Sequence, residues 1–422
     1  MKYAILAAGE GSRLQNEGIT TPKPLIRVSG ECLVDRLVRI FISNDAEEIV
    51  IITNDIYPEI AQHIRDLIAR GLPLRLVVKT TPSSMHSFHA LVPLLGEGKF
   101  CLTTVDTIFD EAEFSEYIRR FELLPQGGLM AVTDYIDDEK PLYVGVNTES
   151  DITGFYDTTP SRFVSGGIYC LDHRVFPILE RCISTGQSRM RNFQRALVSE
   201  GYPLVAHPFS RIMDIDHVSD IVKAQAVYRE PEYSGNPEAD RAIMDKVLER
   251  FSLLPAPCSL LPNLILSMAR SPEKLEQLRR LKAQGYHVIN DPDAVALVSR
   301  RENLFWLTGE SYEPTSFPLW VKPAGYSRRK DDVVFVEREE DLPDVLEKLK
   351  NRGITDVVYS PHHEGRHVKF YGIGGALLDV YGGDAIVSPD GEVHIIDIND
   401  WPSFSPCLDE AAQAIVSKAL SS

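Results

Sequence analysis

Positive charge is scarce in this chain. Lys and Arg number 44 against 61 Asp and Glu, a formal net charge of −17. That balance disfavours a scaffold built to grip a nucleic-acid backbone, which needs clustered cations. It leaves nucleotides open as ligands, since a few local cations and a metal ion can hold them. The local basic run Arg328-Arg329-Lys330 stands beside Asp331 and Asp332 and reads as a solvated turn. Cysteine is also thin: the 6 residues, at 32, 101, 170, 182, 258 and 407, lie far apart and form no Cys-x-x-Cys. A reduced, cytoplasmic protein with inert thiols is the expectation. No apolar run approaches the ~18–20 residues that span a bilayer, so no membrane partner is expected. The apolar stretch Tyr3–Ala8 is interrupted by Gly9-Glu10-Gly11, too soon for the core of a signal peptide. Internal repeats and low-complexity tracts are lacking. What remains is a 422-residue chain with 44% hydrophobic and 25% charged residues, ordinary for globular proteins. At roughly 100–200 residues per domain, two or three domains are expected.

The first half alternates short β-branched runs with amphipathic segments. Tyr3–Leu6, Ile49–Thr53, Leu74–Val78 and Phe100–Val105 read as strands, with helices at Val34–Ile42 and Ile56–Ala69. Further strands are expected at Leu129–Thr133, Tyr143–Asn147 and Ser165–Leu171. Nearly unbroken apolar strands alternating with helices predict an α/β fold, Rossmann-like, with a mainly parallel sheet covered on both faces. The stretch REPEYSGNPEAD at 229–240 is rich in Pro, Gly and acidic residues and reads as a linker. The expected division is a first domain over 1–230, a linker over 231–240 and a second domain over 241–422. In the latter, Pro272–Gln284 reads as a helix and His287–Asn290 as a short strand. From Pro318 the pattern becomes β-rich, with a helix at Asp341–Asn351, so an α+β domain is expected.

The first strand runs into Leu6-Ala7-Ala8-Gly9-Glu10-Gly11-Ser12-Arg13-Leu14, and Pro22-Lys23-Pro24-Leu25 follows. Glycines directly after a buried strand let backbone amides approach phosphate oxygens. Arg13 and Lys23 supply the mobile positive charge that a triphosphate requires. A dinucleotide fingerprint would want a third glycine where Leu14 stands, and Gly-x-x-x-x-Gly-Lys-Ser/Thr is absent. The combination LAAGEGSRL with PKPL resembles the signature of the sugar-phosphate nucleotidyltransferases and their cytidylyltransferase relatives. The resemblance implies the nucleotide-diphospho-sugar transferase fold, with Ala7, Ala8, Gly9, Gly11 and Ser12 at the nucleotide and Arg13 and Lys23 in catalysis. It also implies Mg²⁺ as cofactor, held by Asp106, which closes Thr103-Thr104-Val105-Asp106, and by a second acidic site in Met213-Asp214-Ile215-Asp216. The spelling of that site resembles the cytidylyltransferase branch, favours Asp216 over Asp214, and favours CTP. Ser83, Ser84 and Ser87, in Pro82–His89, fall where relatives read base and ribose, although helix-cap or loop hydroxyls are the alternative. Gly167, in Ser165–Tyr169, resembles the segment beside the acceptor, although a bulge would use a glycine too.

In the second half, Trp320-Val321-Lys322-Pro323 places a lysine on an apolar strand, which an edge strand also does. Tyr381–Val387 leads through Ser388-Pro389-Asp390-Gly391 into Val393–Asn399. Asp397 and Asn399 alternate with isoleucines and so share one face, and a hairpin would set Asp384 beside them. Three oxygen ligands on one face suit Mg²⁺ bridging nucleotide phosphates. This arrangement resembles the ATP-grasp superfamily, which implies an ATP-binding domain, with Lys322 on phosphate and Asp384, Asp397 and Asn399 on metal. Asn290–Val295 resembles the segment that precedes that fold. One decoy is His363-Glu364-Gly365-Arg366-His367, which spells the zinc-protease His-Glu-x-x-His. That chemistry needs a helix, whereas Pro361, Gly365 and the alternating continuation point to a strand, where residues four apart are ~13 Å from each other.

The expectation is a bifunctional enzyme. Its first domain transfers a nucleotidyl group, CTP favoured, to a small phosphorylated acceptor such as a sugar or alcohol phosphate, releasing pyrophosphate. Its second uses ATP as a kinase or ligase. The alternative is a second domain that binds nucleotide without turnover. Acceptor and oligomeric state are not legible.

Overall fold

The computed structural model describes residues 1–136, 140–254, 261–325 and 330–421. Cys258 and the arginines of the 328–332 basic run lie outside the described residues. The chain divides into two compact units, Met1–Asp220 and Ile221–Ser422.

The first unit is built on one nine-stranded sheet. Its parallel part comprises β1 (Lys2–Ala7), β2 (Glu48–Thr53), β3 (Leu74–Val78) and β4 (Lys99–Thr104). β1 lies between β2 and β4, and β3 pairs with β2, all in parallel. Parallel neighbours need a crossover, and the helices Leu33–Ser43, Pro58–Ala69 and Ser84–Leu95 supply it. Each turns an apolar stripe inward, such as Ile60, Ile64 and Leu67 or Met85, Phe88 and Leu91. Tyr3, Ile5, Val50 and Ile52 are fully buried, as strands covered on both faces require.

The remainder departs from the mainly parallel sheet expected. Beyond β4 come β5 (Gly128–Thr133), β6 (Tyr143–Val146), β7 (Ile152–Tyr156), β8 (Phe163–Asp172) and β9 (Leu204–Phe209). β8 runs antiparallel to β4, β5 and β6, β6 is antiparallel to β7, and only β9 on β5 restores a parallel pair. The sheet is therefore mixed. Its connections explain why: β6 and β7 are joined by a short turn, which allows only antiparallel pairing. Phe88, Phe100 and Phe193 pack together in the core beneath it.

In the second unit, the stretch expected as a linker at 231–240 holds a short 3₁₀ turn, Pro231–Tyr233, and the start of the helix Pro237–Ser252. Asn236 caps that helix by accepting from the amide of Ala239 at 3.2 Å, and Pro237 stands in the first turn, where its missing N–H costs nothing. β10 (Leu264–Leu266) pairs in parallel with β11 (His287–Ile289), flanked by helices Pro272–Ala283 and Pro292–Val298. Two separate antiparallel sheets follow. One joins β12 (Leu319–Pro323) to β13 (Val334–Val336) and β14 (Val357–Pro361), and packs on the helix Leu342–Asn351. The other orders β15 (Arg366–Ile373), β16 (Val380–Val387) and β17 (Val393–Asp400). No helix among the described residues is long and apolar enough to cross a membrane.

Candidate active site

β1 has β2 on one side and β4 on the other, so the loop leaving its carboxyl end opens at the point where strand order reverses. Ligands of open α/β sheets bind at that point. The loop is fixed from both ends. Gly11 has φ 68°, a left-handed conformation that glycine adopts without penalty, and a Cβ there would stand 3.2 Å from Cβ of Lys23. Leu14, on the short helix Ser12–Asn16, is buried and anchors the far side. Asn54, at the end of β2, is fully buried. Its Nδ2 donates to the carbonyls of Ala8 at 3.2 Å and Gly9 at 3.3 Å, while Oδ1 accepts from the amides of Ile56 and Tyr57. These bonds engage loop carbonyls and none of the loop's own amides.

A cavity of about 440 Å³ opens here. Of the residues picked out in the sequence, Ala7, Ala8, Gly9, Gly11, Ser12, Arg13, Lys23, Ser83, Ser84, Ser87, Asp106 and Asp216 line it, and Asp214 and Gly167 do not. Lys23 is its electrostatic centre. Nζ pairs with Asp106 Oδ2 and, at 2.7 Å, with Asp216 Oδ1. Arg13 Nη1 reaches Asp216 Oδ2 at 2.5 Å. Burial works against the Lys23 charge, but Asp106 and Asp216 outweigh it and hold the ammonium above its ordinary range. Burial likewise pushes Asp216 up, and Lys23 followed by Arg13 overcomes it, so that carboxyl sits below its usual value. Asp106 Oδ1 is buried without a protein partner.

Asp214 lies next door, on a short ribbon in which Ile212–Asp214 pairs with Thr107–Phe109 and Asp214 stands opposite Thr107. The protein packed around it and then the charge of Asp106 push its carboxyl upward; the exposure of this residue to water tempers that push. Gly167, with φ 71°, sits where the register of β8 on β5 shifts between Ser165 and Tyr169. It is therefore part of a bulge, and a Cβ there would meet Thr107 Oγ1 at 3.7 Å. Ser83 caps the helix Ser84–Leu95, accepting from the amide of His86 at 3.4 Å, and Ser87 Oγ lies 2.6 Å from Thr81 Oγ1. The structural uses weighed for those hydroxyls are thus real, on the wall of the same cavity.

Three supporting residues carry roles that the sequence does not assign. Asn54 had a signal, a polar residue directly after a buried β-branched strand. Glu17 and Asp220 had none, because their work is tertiary. Glu17 accepts from the amide of Val218 at 2.7 Å and pairs with His217 Nδ1 at 2.5 Å. Asp220 accepts from the amides of Asp216 at 3.1 Å and His217 at 2.7 Å. Together they fix the turn that carries Asp216. Among the described residues no three His, Cys, Asp or Glu side chains gather to hold a metal unaided.

In the second unit the Pro389-Asp390-Gly391 turn does close a hairpin. Asp384 stands opposite Asp397, and Gly382 opposite Asn399. Asn399 Nδ2 donates to Asp397 Oδ2 at 2.9 Å, Asp397 also meets Arg301 at 3.1 Å, and Asp384 meets Lys369 at 2.8 Å and His367 at 2.9 Å. Lys322 lies on β12 and is 6% exposed. Its Nζ donates to Glu310 Oε1 and to the carbonyl of Ile396, each at 2.8 Å, and burial lowers its pKa despite the opposing effect of Glu310. Glu310, which the sequence did not flag, is buried with one carboxylate oxygen unpartnered. Asn290 brackets the backbone of Val380 with bonds of 2.7 and 2.6 Å, and Asp291 caps the helix Pro292–Val298. The His-Glu-x-x-His pattern is not helical. His363 stacks on His394 at 3.8 Å, and His367 is the second residue of β15, beside Asp384.

Residues 3–201 match the model of the MobA-like NTP transferase domain, and the N-terminal half of the chain carries an NTP transferase domain. The chain is 45% identical over 75 residues to the bifunctional IPC transferase and DIPP synthase of Rubrobacter xylanophilus, covering 18% of this chain and 16% of that protein. It is 28% identical over 120 residues to the protein of the same description from Thermococcus kodakarensis, covering 28% and 26%. Among solved structures it is similar to the inositol-1-phosphate CTP transferase from T. maritima, at 21% identity and TM-score 0.46, covering 52% of this chain and 90% of that one. The chain spans only a small part of the two bifunctional relatives.

Proposed function

We propose that the first unit transfers a nucleotidyl group, CTP favoured, to a small phosphorylated acceptor such as a sugar or alcohol phosphate. One observation carries the reading: glycine loop, Arg13, Lys23, Asp106 and Asp216 share a single cavity at the carboxyl ends of β1 and β4. A phosphate oxygen of the acceptor attacks the α-phosphorus in line. The bond to the β-phosphate oxygen breaks, and pyrophosphate leaves. Such chemistry asks little covalent work of the protein, so positioning and neutralisation dominate. Arg13 and the loop amides stabilise the departing pyrophosphate, and Lys23 turns from its carboxylates to the reacting phosphates. Ser83, Ser84 and Ser87 lie along base and ribose, and Gly167 lets backbone approach the acceptor. Asp106 and Asp216 fit a magnesium ion, since Mg²⁺ takes one or two carboxylates together with substrate phosphates, and Asp106 has an unsatisfied buried oxygen facing this need. Bound magnesium supplies neutralisation of phosphate charge. Asp214 is the reserve carboxylate of the site. The naming of the Rubrobacter and Thermococcus relatives as transferases is consistent with this reading.

The second unit is read as an ATP-grasp-like kinase or ligase, with Asp384, Asp397 and Asn399 toward magnesium and Lys322 toward phosphate. The cross-strand placement of Asp384 and Asp397, with Asn399 bonded to the latter, supports it. One observation favours a non-catalytic, nucleotide-sensing variant: Lys322 is buried and already paired with Glu310. Incubation of the purified chain with CTP, UTP, GTP or dTTP and a panel of phosphate monoesters tests the first unit by pyrophosphate release. ADP formation from ATP, with alcohols and with amine–carboxylate pairs, reports the second unit separately.

A further inference from the structure

The second unit has its own cavity, about 370 Å³, walled by β15, β16 and β17 and the segments around Arg229 and Trp401. Its charges are matched within the wall. The three cations are Arg229, Arg270 and Lys369, and the three carboxylates are Asp240, Asp384 and Asp400. Arg229 Nε meets Asp240 at 3.0 Å and its Nη1 meets Asp400 at 3.5 Å, Arg270 pairs with Asp400, and Lys369 meets Asp384 at 2.8 Å. Asp400 is fully buried and the two guanidiniums nearly so. Between the pairs the lining offers the amides of Asn236 and Asn399, the hydroxyls of Tyr371 and Ser403, and the flat apolar surfaces of Trp401 and Pro402.

We infer that this cavity binds an uncharged, polyhydroxylated small molecule. A ligand carboxylate or phosphate would meet each cation with a protein carboxylate already at its side, and would lie against those carboxylates unscreened. A hydroxyl both donates and accepts. It therefore bridges a paired carboxylate and ammonium or guanidinium without stranding either charge, whereas a buried charge stripped of its partner is costly. Several hydroxyls on a compact carbon frame fit the alternating donors and acceptors, and the C–H faces fit the aromatic and proline surfaces. This deepens the reading of the second unit as a kinase, since such a molecule would be the alcohol to be phosphorylated. It rests on that reading for its purpose but not for its binding.

The test is calorimetric titration of the full chain, without ATP or metal, using a cyclic hexitol, a linear pentitol and an aldohexose. Each is compared with its phosphate monoester, and a hydroxy-dicarboxylate and an amino acid are added as charged probes. At least one neutral polyol is expected to bind about tenfold more tightly than its phosphorylated counterpart. Asp384→Asn, which takes the carboxylate from beside Lys369, should erase that preference by tightening binding of the phosphate monoester. Absence of binding by every neutral polyol, preference for a charged probe, or a preference untouched in Asp384→Asn would each overturn the inference. Because no turnover is read, the result is separate from whether the unit hydrolyses ATP.

Discussion

Lys23 is held between two carboxylates, and that placement makes it the resident counter-ion of the proposed metal site. Its ammonium satisfies Asp106 and Asp216, so a divalent ion entering alone would have to displace it. A polyphosphate arriving with the ion offers Lys23 new anionic partners. Lys23→Met is therefore expected to act in two opposite directions. Turnover should fall by about 10²–10³, the cost of losing a charge-stabilising donor at a reacting phosphate. Mn²⁺ binding to the nucleotide-free protein, followed by the paramagnetic resonance of the free ion, should tighten. Equal Mn²⁺ affinity in the variant and the parent would show that Lys23 does not compete for the site. Gly11→Ala makes a milder change at the same place. A left-handed φ costs an L-residue about 1–2 kcal/mol, and the new methyl presses on Lys23. Activity should therefore drop more than stability, as comparison of kcat with the thermal midpoint would reveal.

At the level of elements, the glycine loop depends on β2 as much as on β1, through Asn54. Asn54→Ala would leave two carbonyls and two amides short of a partner, and unsatisfied buried groups cost about 1–3 kcal/mol. Chemical denaturation should register that loss, and Asn54→Asp should not repair it, because an ionised carboxylate cannot donate to Ala8 and Gly9. The parallel half of the sheet, the glycine loop and the Pro389–Gly391 hairpin were legible in the sequence because each is written in short contiguous patterns. The direction of β8 was not, since it is decided by connections rather than by strand composition. The clamps of Glu17 and Asp220 on the turn carrying Asp216 were not legible either, because Glu17 is far from that turn in sequence and Asp220 reads as an ordinary helix-start carboxylate. Gly167 shows the limit from the other side: its motif was visible, but the backbone uses it in a bulge, and it is not among the residues that line the first unit's cavity.

Across the whole molecule, each unit carries its own polar centre, and the two should respond to different perturbations. In the second unit, burial pushes Asp400 up, but Arg270 and Arg229 prevail and hold its carboxyl below the usual range. Its stabilising contribution is therefore complete above the unfolded value, about 3.9, and is lost as pH falls through the lower folded value. Thermal scans should show the second unit losing stability as the solution is acidified below about pH 4. Asp400→Asn should weaken it already at neutral pH, by about 3–5 kcal/mol, the cost of breaking a buried ion pair, and should flatten the acid dependence. In the first unit, the role proposed for the cavity is to hold a nucleoside triphosphate against Asp106 and Asp216 for attack by a phosphate monoester. The most direct measurement is pyrophosphate release by the full chain with CTP, UTP, GTP or dTTP, Mg²⁺ and the monoester panel, run beside Asp106→Ala. Release that depends on one monoester and vanishes in the variant, with any ADP formation by the second unit unchanged, is the predicted result. Undiminished release from Asp106→Ala, or none from the parent with any of the four triphosphates, would contradict it.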